Sequence, residues 1–350
     1  MDSVTQAALG AVVGQSIMGR YVGRLAPVIG VVLGTLPDLD VFISFGGAVE
    51  DFTYHRGFSH SLFVHMLATP FIVWLILKSH SASRPYRNQW AITVIAILWT
   101  HALLDNFTVY GTQLLWPFTD YPFGISSVFI IDPFYTVPLL IGLLLAGMWG
   151  WQTQKAKKAA VAVLCVSSAY LSWSVIAKTW LHHNLDQALA KQEIKPEAIL
   201  STPAPFNTFL WRVIILEGDT YRVGHLALWD DPATIDFRSY LKGEDLLEEI
   251  AEQWDIERLE WFTKGFYRAA ERDNQIVISD LRMGFEESYA FNFAIANKLP
   301  GGIIEAIKAV RIEDERDLKR LTLLWDRLWD SSVSLHPSSV SLPKEKLKAF

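Results

Sequence analysis

The chain has 350 residues, 51% hydrophobic and 19% charged, with formal net charge −6 and mean hydropathy +0.22. It is too apolar for an ordinary soluble protein of this length and too polar to lie wholly in a membrane. Residues 1–180 carry 10 Lys+Arg and 8 Asp+Glu, residues 181–350 carry 21 and 29, so the halves are +2 and −8. An acidic second half argues against nucleic-acid binding, and one cysteine, Cys165, excludes an intramolecular disulfide or a cysteine metal cluster.

In chain order, two short apolar stretches come first, 4–19 and 25–36, both rich in Gly and Ala. Small residues allow close helix contact, so they form either two short spans or one re-entrant hairpin. The acidic start lacks the basic region of a removable signal peptide. Stretches 61–77, 90–109, 133–151 and 159–180 follow. Each approaches the roughly 20 apolar residues needed to cross a bilayer. Arg20 and Arg24, then Lys78, Arg84 and Arg87, then Lys155, Lys157 and Lys158 occupy short loops, which the positive-inside rule places on the cytoplasmic side. Counting spans puts the acidic residues and histidines of the first half on the outer side. His80 stays on the inner face.

The second half alternates strand and helix patterns. Stretches 209–216 and 221–229 around Gly218-Asp219 predict a hairpin. Stretches 275–281 and 289–296 are further strands, and 244–254 and 314–330 have helical spacing. The expected organisation is a multi-span α-helical membrane domain over 1–180, a linker over 181–200 and a soluble, extracytoplasmic α+β domain over 201–335. A tail fills 336–350.

Charged and imidazole groups beside apolar stretches are costly and mark function by default. Pro37 stops a helix just before Asp38 and Asp40. His55 and His60 flank a Gly-containing loop and can converge on one ion. Arg56 between them has a fork that matches phosphate or carboxylate; the bland alternative is an arginine snorkelling to headgroups. His65, one turn below Ser61, is a further ligand or a satisfied intrahelical histidine. His101 and Asp105, four apart on a helix, share a face with Thr108, their Cβ atoms about 5–6 Å apart. Both can reach one ion, or Asp105 can orient His101; a plain His–Asp hydrogen bond between helices is the equal alternative. Asp132 before Pro133 suits an N-cap, and Asp2 sits at the outer end of the first stretch. Histidines and aspartates of this kind suit a divalent metal, zinc first, with manganese or magnesium as options. A two-metal site is possible, with Asp40 or Asp105 as general base if not a ligand. No Gly-x-Ser-x-Gly, His-Glu-x-x-His or phosphate-binding glycine loop is present.

Several motifs carry a resemblance: Met1-Asp2-Ser3-Val4-Thr5-Gln6-Ala7, Leu36-Pro37-Asp38-Leu39-Asp40, His55-Arg56-Gly57-x-Ser59-His60-Ser61 and His101-x3-Asp105. Tyr110-Gly111-Thr112-Gln113, Pro117-Phe118 and Ile131-Asp132-Pro133-Phe134 complete the set. Together they resemble the inner-membrane metal-dependent hydrolases, also described as LexA-binding inner-membrane hydrolases, over residues 1–180. The resemblance implies a hydrolase. Many members have His where this chain has Gln6. A fainter similarity of His-x3-Asp to zinc-dependent phospholipases C and P1-type nucleases is the one basis for preferring phosphoesters. LexA binding does not fit a site on the outer face and is not carried over.

The expectation is a membrane-bound hydrolase of a lipid or envelope ester in the inner membrane. Asp38, His60, His101 and Asp105 would hold metal, with His55, Asp40, Asp2 and Asp132 as further ligands or supports. Asp40, Arg56 and Asp105 are the candidate catalytic groups. The alternative is a non-catalytic membrane scaffold with a structural metal or a polar packing cluster.

Overall fold

The computed structural model describes residues 1–231, 235–314 and 318–337. The chain packs as two units. One is Met1–Ile43 with Tyr54–Ile176; the other is Ser44–Thr53 with the chain from Ala177 onward.

The first unit is helical. Helix α1 (Ser3–Val22) starts where the Asp2 carboxylate accepts from the backbone N–H groups of Val4 and Thr5. Helix α2 (Leu25–Thr35) returns along it. Glycines set their approach: a Cβ on Gly10 would lie 2.2 Å from the Gly30 carbonyl oxygen, and one on Gly34 would lie 2.5 Å from that of Gln6. Pro37 then turns the chain into a three-ten segment, Pro37–Phe42. After α3 (Ala48–Tyr54), helix α4 (Leu62–Ser79) is capped by Ser61. Helix α5 (Arg87–Asp105) is the centre of the core, with Trp90, Val94, Ile97 and Leu98 buried beside Leu9, Val12 and Met18 of α1. Asp132 caps α6 (Pro133–Trp149), whose Leu139 joins the same core. Helix α7 (Gln154–Lys191) is the longest.

Among the described residues two helices, α4 and α7, are long and apolar enough to cross a membrane; α2 and α6 are apolar but shorter. Helix α5 does not join them because Arg87, Asn88, Gln89, His101 and Asp105 dilute its apolar length. The residues expected as a linker over 181–200 are helix through Lys191 and the start of a strand. The cause is packing: Leu181, Leu185 and Leu189 are buried with Trp211, Val213 and Ile215.

The second unit is rich in sheet. Strands β1 (Ala198–Pro203), β2 (Leu210–Glu217), β3 (Thr220–Ala227) and β4 (Arg238–Leu241) form an antiparallel meander. The predicted hairpin is β2–β3, pairing Leu216 with Tyr221 and Glu217 with Thr220 across Gly218-Asp219. Gly218 has φ +54°, a left-handed turn conformation glycine adopts readily. Both faces of β2 are covered. Trp211, Val213 and Ile215 meet the end of α7, while Ile214 and Leu216 meet Phe266, Leu281 and Tyr289.

A second antiparallel sheet has the order β10-β9-β6-β5, from β5 (Tyr267–Arg272), β6 (Gln275–Asp280), β9 (Asn292–Lys298) and β10 (Ile304–Ile312). A small hairpin, β7 (Gly284–Phe285) with β8 (Ser288–Tyr289), interrupts it. The stretch 244–254 is mostly three-ten helix, Glu244–Ile250, before α8 (Trp254–Thr263). Helix α9 (Leu318–Trp329) falls within predicted stretch 314–330. Most of the tail 336–350 lies outside the described residues.

Helix α3 (Ala48–Tyr54) reaches from the first half into this unit. Its Phe52 ring lies 5.0 Å from Phe262, 4.6 Å from Phe291 and 5.2 Å from Phe293, centroid to centroid. Arg258 Nε donates to Thr53 Oγ1 at 3.1 Å.

Gly30→Ala would place a methyl 2.2 Å from the Gly10 carbonyl oxygen. Overpacking of that kind costs about 1–3 kcal/mol. The variant is expected to unfold at lower temperature in detergent; an unchanged transition would refute the close-contact role.

Candidate metal centre

The site gathers at one end of the helical unit. Helix α5 delivers His101 and Asp105 from successive turns. The three-ten segment after Pro37 delivers Asp38 and Asp40, and a second short one, Phe58–His60, delivers His60. Ligand atoms of Asp38, His60, His101 and Asp105 all lie within 4.8 Å of one another and could hold a metal ion.

The spacing is informative. His60 Nε2 lies 3.1 Å from His101 Nε2, 3.3 Å from Asp38 Oδ1 and 3.1 Å from Asp105 Oδ2. His101 Nε2 lies 3.5 Å from both Asp38 Oδ1 and Asp105 Oδ2. Donors about 2.0–2.2 Å from a tetrahedral ion lie roughly 3.3–3.5 Å from each other. Asp105 Oδ2 is buried and faces the ring nitrogens of His60 and His101 at 3.1 and 3.5 Å. Both facts fit a cation between these four groups.

The surroundings aim the ligands. His101 Nδ1 bonds the Gly34 carbonyl oxygen at 2.7 Å, so the close α1–α2 contact also fixes this ring and turns Nε2 to the centre. His60 Nδ1 lies 2.9 Å from Ser59 Oγ. Asp105 Oδ1 accepts from Gln6 Nε2 at 3.1 Å, pairs with Arg56 Nη2 at 3.3 Å and meets the Met1 amine. Arg56 also donates to Thr108 Oγ1 at 3.1 Å and lies over the Tyr110 ring. It is 6% exposed, turned to the centre and away from solvent.

Asp40 belongs to the next layer. Its Oδ1 lies 2.7 Å from His55 Nδ1, and its Oδ2 accepts from the Arg56 backbone N–H at 3.0 Å and from the Ser59 hydroxyl. The His55 side chain is 23% exposed, and its Nε2 has no hydrogen-bond partner among the described residues. The ring stands edge-on to His60 and Tyr110.

Burial opposes charge on Asp38, but hydrogen bonds with His101 and His60 outweigh it and hold the carboxyl below its ordinary range. Asp40 follows the same logic, with His55 the main opposing partner. For His60, burial favours the neutral ring, yet Asp105 and Asp38 prevail and raise its proton affinity.

Four of the sequence candidates, Asp38, His60, His101 and Asp105, therefore meet at one point. Asp40, His55 and Arg56 stand around them. Asp2 and Asp132 do not join the cluster: each caps a helix, and Asp132 also accepts from the Tyr170 hydroxyl at 2.7 Å. His65 bonds the Ser59 carbonyl oxygen at 2.7 Å and so supports the loop. Sequence reasoning did not assign Ser59, the Gly34 carbonyl or the Met1 amine. Gln6 stood out at a position of possible ligation, and the fold uses it as a donor to Asp105.

A buried His/Asp cluster in an apolar helical unit defines a protein organised around a candidate metal centre. Residues 1–181 match the family model of the YdjM inner membrane protein, and the chain belongs to that family. It is similar to the inner membrane protein YbcI of Escherichia coli (strain K12), 30% identical over 170 residues, covering 43% of this chain and 96% of that protein. It is also similar to the uncharacterized protein YfhP of Bacillus subtilis (strain 168), 27% identical over 143 residues, covering 36% of this chain and 43% of that protein. No solved structure matches. The family places the chain in the inner membrane.

Metal must displace the proton that His60 holds. Because that proton affinity is raised above the ordinary 6.5, zinc affinity is expected to climb as pH rises through the ordinary histidine range and to go on climbing above it. Chelator competition would measure it. A pH-independent affinity, or metal retained in full by both His101→Ala and Asp105→Ala, would refute the ligand set.

Proposed function

We propose that this protein is a metal-dependent hydrolase of a membrane-proximal ester, with a phosphoester of a lipid or envelope component as the favoured substrate. The observation that carries this reading is the Asp40–His55 pair beside the four-ligand cluster. Asp40 fixes Nδ1 of His55 and leaves Nε2 available, the arrangement of a proton-transfer imidazole held by a carboxylate. Of the histidines here, His55 has the more open side chain, against 0% and 1% for His60 and His101. Asp38, at 20%, marks the open side of the cluster.

A bound divalent ion supplies Lewis acidity and a water of lowered pKa. The chain's own residues do the rest. His55 takes the proton of the attacking water at Nε2 and returns one to the leaving oxygen. Asp40 stabilises the imidazolium. Arg56 and the Met1 amine hold Asp105 in one orientation, so Arg56 positions a ligand and leaves substrate contact to others. In this reading the helical unit spans the membrane several times, with the centre and the second domain on the outer face. The support is the loop charge pattern and the length and apolarity of α4 and α7.

A second reading is a structural metal in a scaffold protein. Four protein donors at near-tetrahedral spacing favour it, because a closed tetrahedral site has no place for substrate. Activity separates the two. Metal-loaded wild type should hydrolyse bis(p-nitrophenyl) phosphate, and His55→Ala should lower kcat by roughly 10²–10⁴-fold with metal content unchanged. Stoichiometric metal without hydrolysis of phosphodiesters or other esters would establish the structural reading.

A further inference from the structure

We infer that the second unit docks on the membrane surface through an exposed cluster of tryptophans, with the zwitterionic headgroup layer of the bilayer as its partner. Trp229, just after β3, and Trp325 and Trp329, on α9, carry the contact. They are 50%, 65% and 64% exposed. The family match ends at residue 181, so this surface lies outside the part of the chain shared with the family. The docking is independent of the hydrolase reading and rests on α7 crossing the bilayer.

The three indoles form one surface. Helix α9 turns Leu324 and Leu328 inward, against Leu210 of β2 and Ala227 of β3. Trp325 and Trp329, four apart, share the adjacent stripe of the helix. Trp329 stacks on Trp229 with ring centroids 5.2 Å apart and planes at 18°. Trp325 stands edge-on to Trp329 at 5.8 Å. Trp229 Nε1 donates to the Leu328 carbonyl oxygen at 3.0 Å, which ties the loop indole to the helix. A contiguous exposed apolar patch of this kind marks an interaction site, whereas single exposed side chains need no explanation.

Place selects the bilayer as the partner. Helix α7 runs unbroken from Gln154 to Lys191 and is long and apolar enough to cross a membrane. Its apolar stretch ends near Trp180, which is 59% exposed. Directly after it, Leu181, Leu185 and Leu189 are buried with Trp211, Val213 and Ile215 of β2. From Leu181 to Lys191 the helix rises only about 15 Å. The core of the second unit therefore begins where the bilayer ends, with no flexible linker between them. A tryptophan face on a body tethered there meets the headgroup layer at high effective concentration, and indoles favour that depth.

Charge selects the lipid. Arg327, 6% exposed, turns inward to Asp230 at 2.8 Å and to the His225 carbonyl oxygen. Asp326 and Asp330, beside the two helix tryptophans, are exposed. Carboxylates there oppose an anionic surface and suit the ammonium groups of a zwitterionic one. The binding comes from burial of indole, so it needs no anionic lipid and is not screened by salt.

The test uses the full chain in nanodiscs. Cys165→Ser removes the native exposed thiol, and Thr322→Cys or Glu305→Cys carries an environment-sensitive fluorophore. Position 322 lies on α9 a turn before Trp325; position 305 is exposed on β10. In discs of phosphatidylethanolamine and phosphatidylcholine holding one copy, emission from 322 should shift to shorter wavelength. It should be quenched by phosphatidylcholine carrying a headgroup nitroxide, equally at low and high salt, and emission from 305 should not. Trp325→Ser combined with Trp329→Ser should bring quenching at 322 down to that at 305. If the double variant loses helical content or its thermal transition, Trp325→Ser alone should lower the quenching. Quenching at 322 no greater than at 305, or unchanged in the tryptophan variants, would overturn the docking. Quenching that requires phosphatidylglycerol would overturn the zwitterionic assignment. A shift without quenching, seen in discs holding two copies and not one, would give the face to a second copy and overturn the membrane contact.

Discussion

The helical unit is organised around one buried carboxylate. Asp105 is fully buried in a bundle whose other interior residues are largely apolar. An isolated charge there would cost several kcal/mol, so the fold surrounds it with compensation. Oδ1 meets Gln6, Arg56 and the Met1 amine. Oδ2 faces two imidazoles. Removing the charge of Asp105 would leave the buried Arg56 guanidinium with the Thr108 hydroxyl and the Tyr110 ring face and with no carboxylate to balance it among the described residues. The ligands and their supports are therefore one electrostatic unit, and substitutions within it should not add independently.

Backbone geometry carries that unit. The glycines bring α2 close against α1, and the Gly34 carbonyl oxygen on α2 fixes the His101 ring of α5. Pro37 ends α2 immediately afterwards and turns Asp38 back over the same point. A structural choice made by small residues thus becomes a choice about which imidazole nitrogen is offered to a cation.

The second unit has its own physical link to the site's sequence. The segment Ser44–Thr53 lies between Asp40 and His55 in the chain and packs in the sheet-rich unit through Phe52. Asp40 bonds His55 and the Arg56 N–H, which ties together the two ends of that excursion. The family match ends at residue 181, so the part of the chain shared with the family is the helical part. The sheets β1–β4 and β5–β10 lie beyond it.

The sequence by itself determined the types and neighbourhoods of the site residues. His101 and Asp105 share a helical face because the helix period requires it. Pro37 must end a helix, and the Gly218-Asp219 pair suits a hairpin turn. Apolar composition marked the first half as membrane-bound. Only the tertiary structure decided which groups meet. Asp2 and Asp132 have the same chemistry as Asp38, yet they cap helices, because capping depends on local backbone and ligation on distant chain. Arg56 looked free to receive a substrate and instead neutralises Asp105, a partner 49 positions away in sequence. The start of strand β1, residues 198–200, falls in the expected linker because its pairing with β2, from Ala198↔Leu216 to Pro203↔Trp211, is supplied by the partner strand and leaves little periodic signal of its own. Long-range compensation of charge and long-range strand pairing share this property: the energy resides between residues that sequence separation conceals.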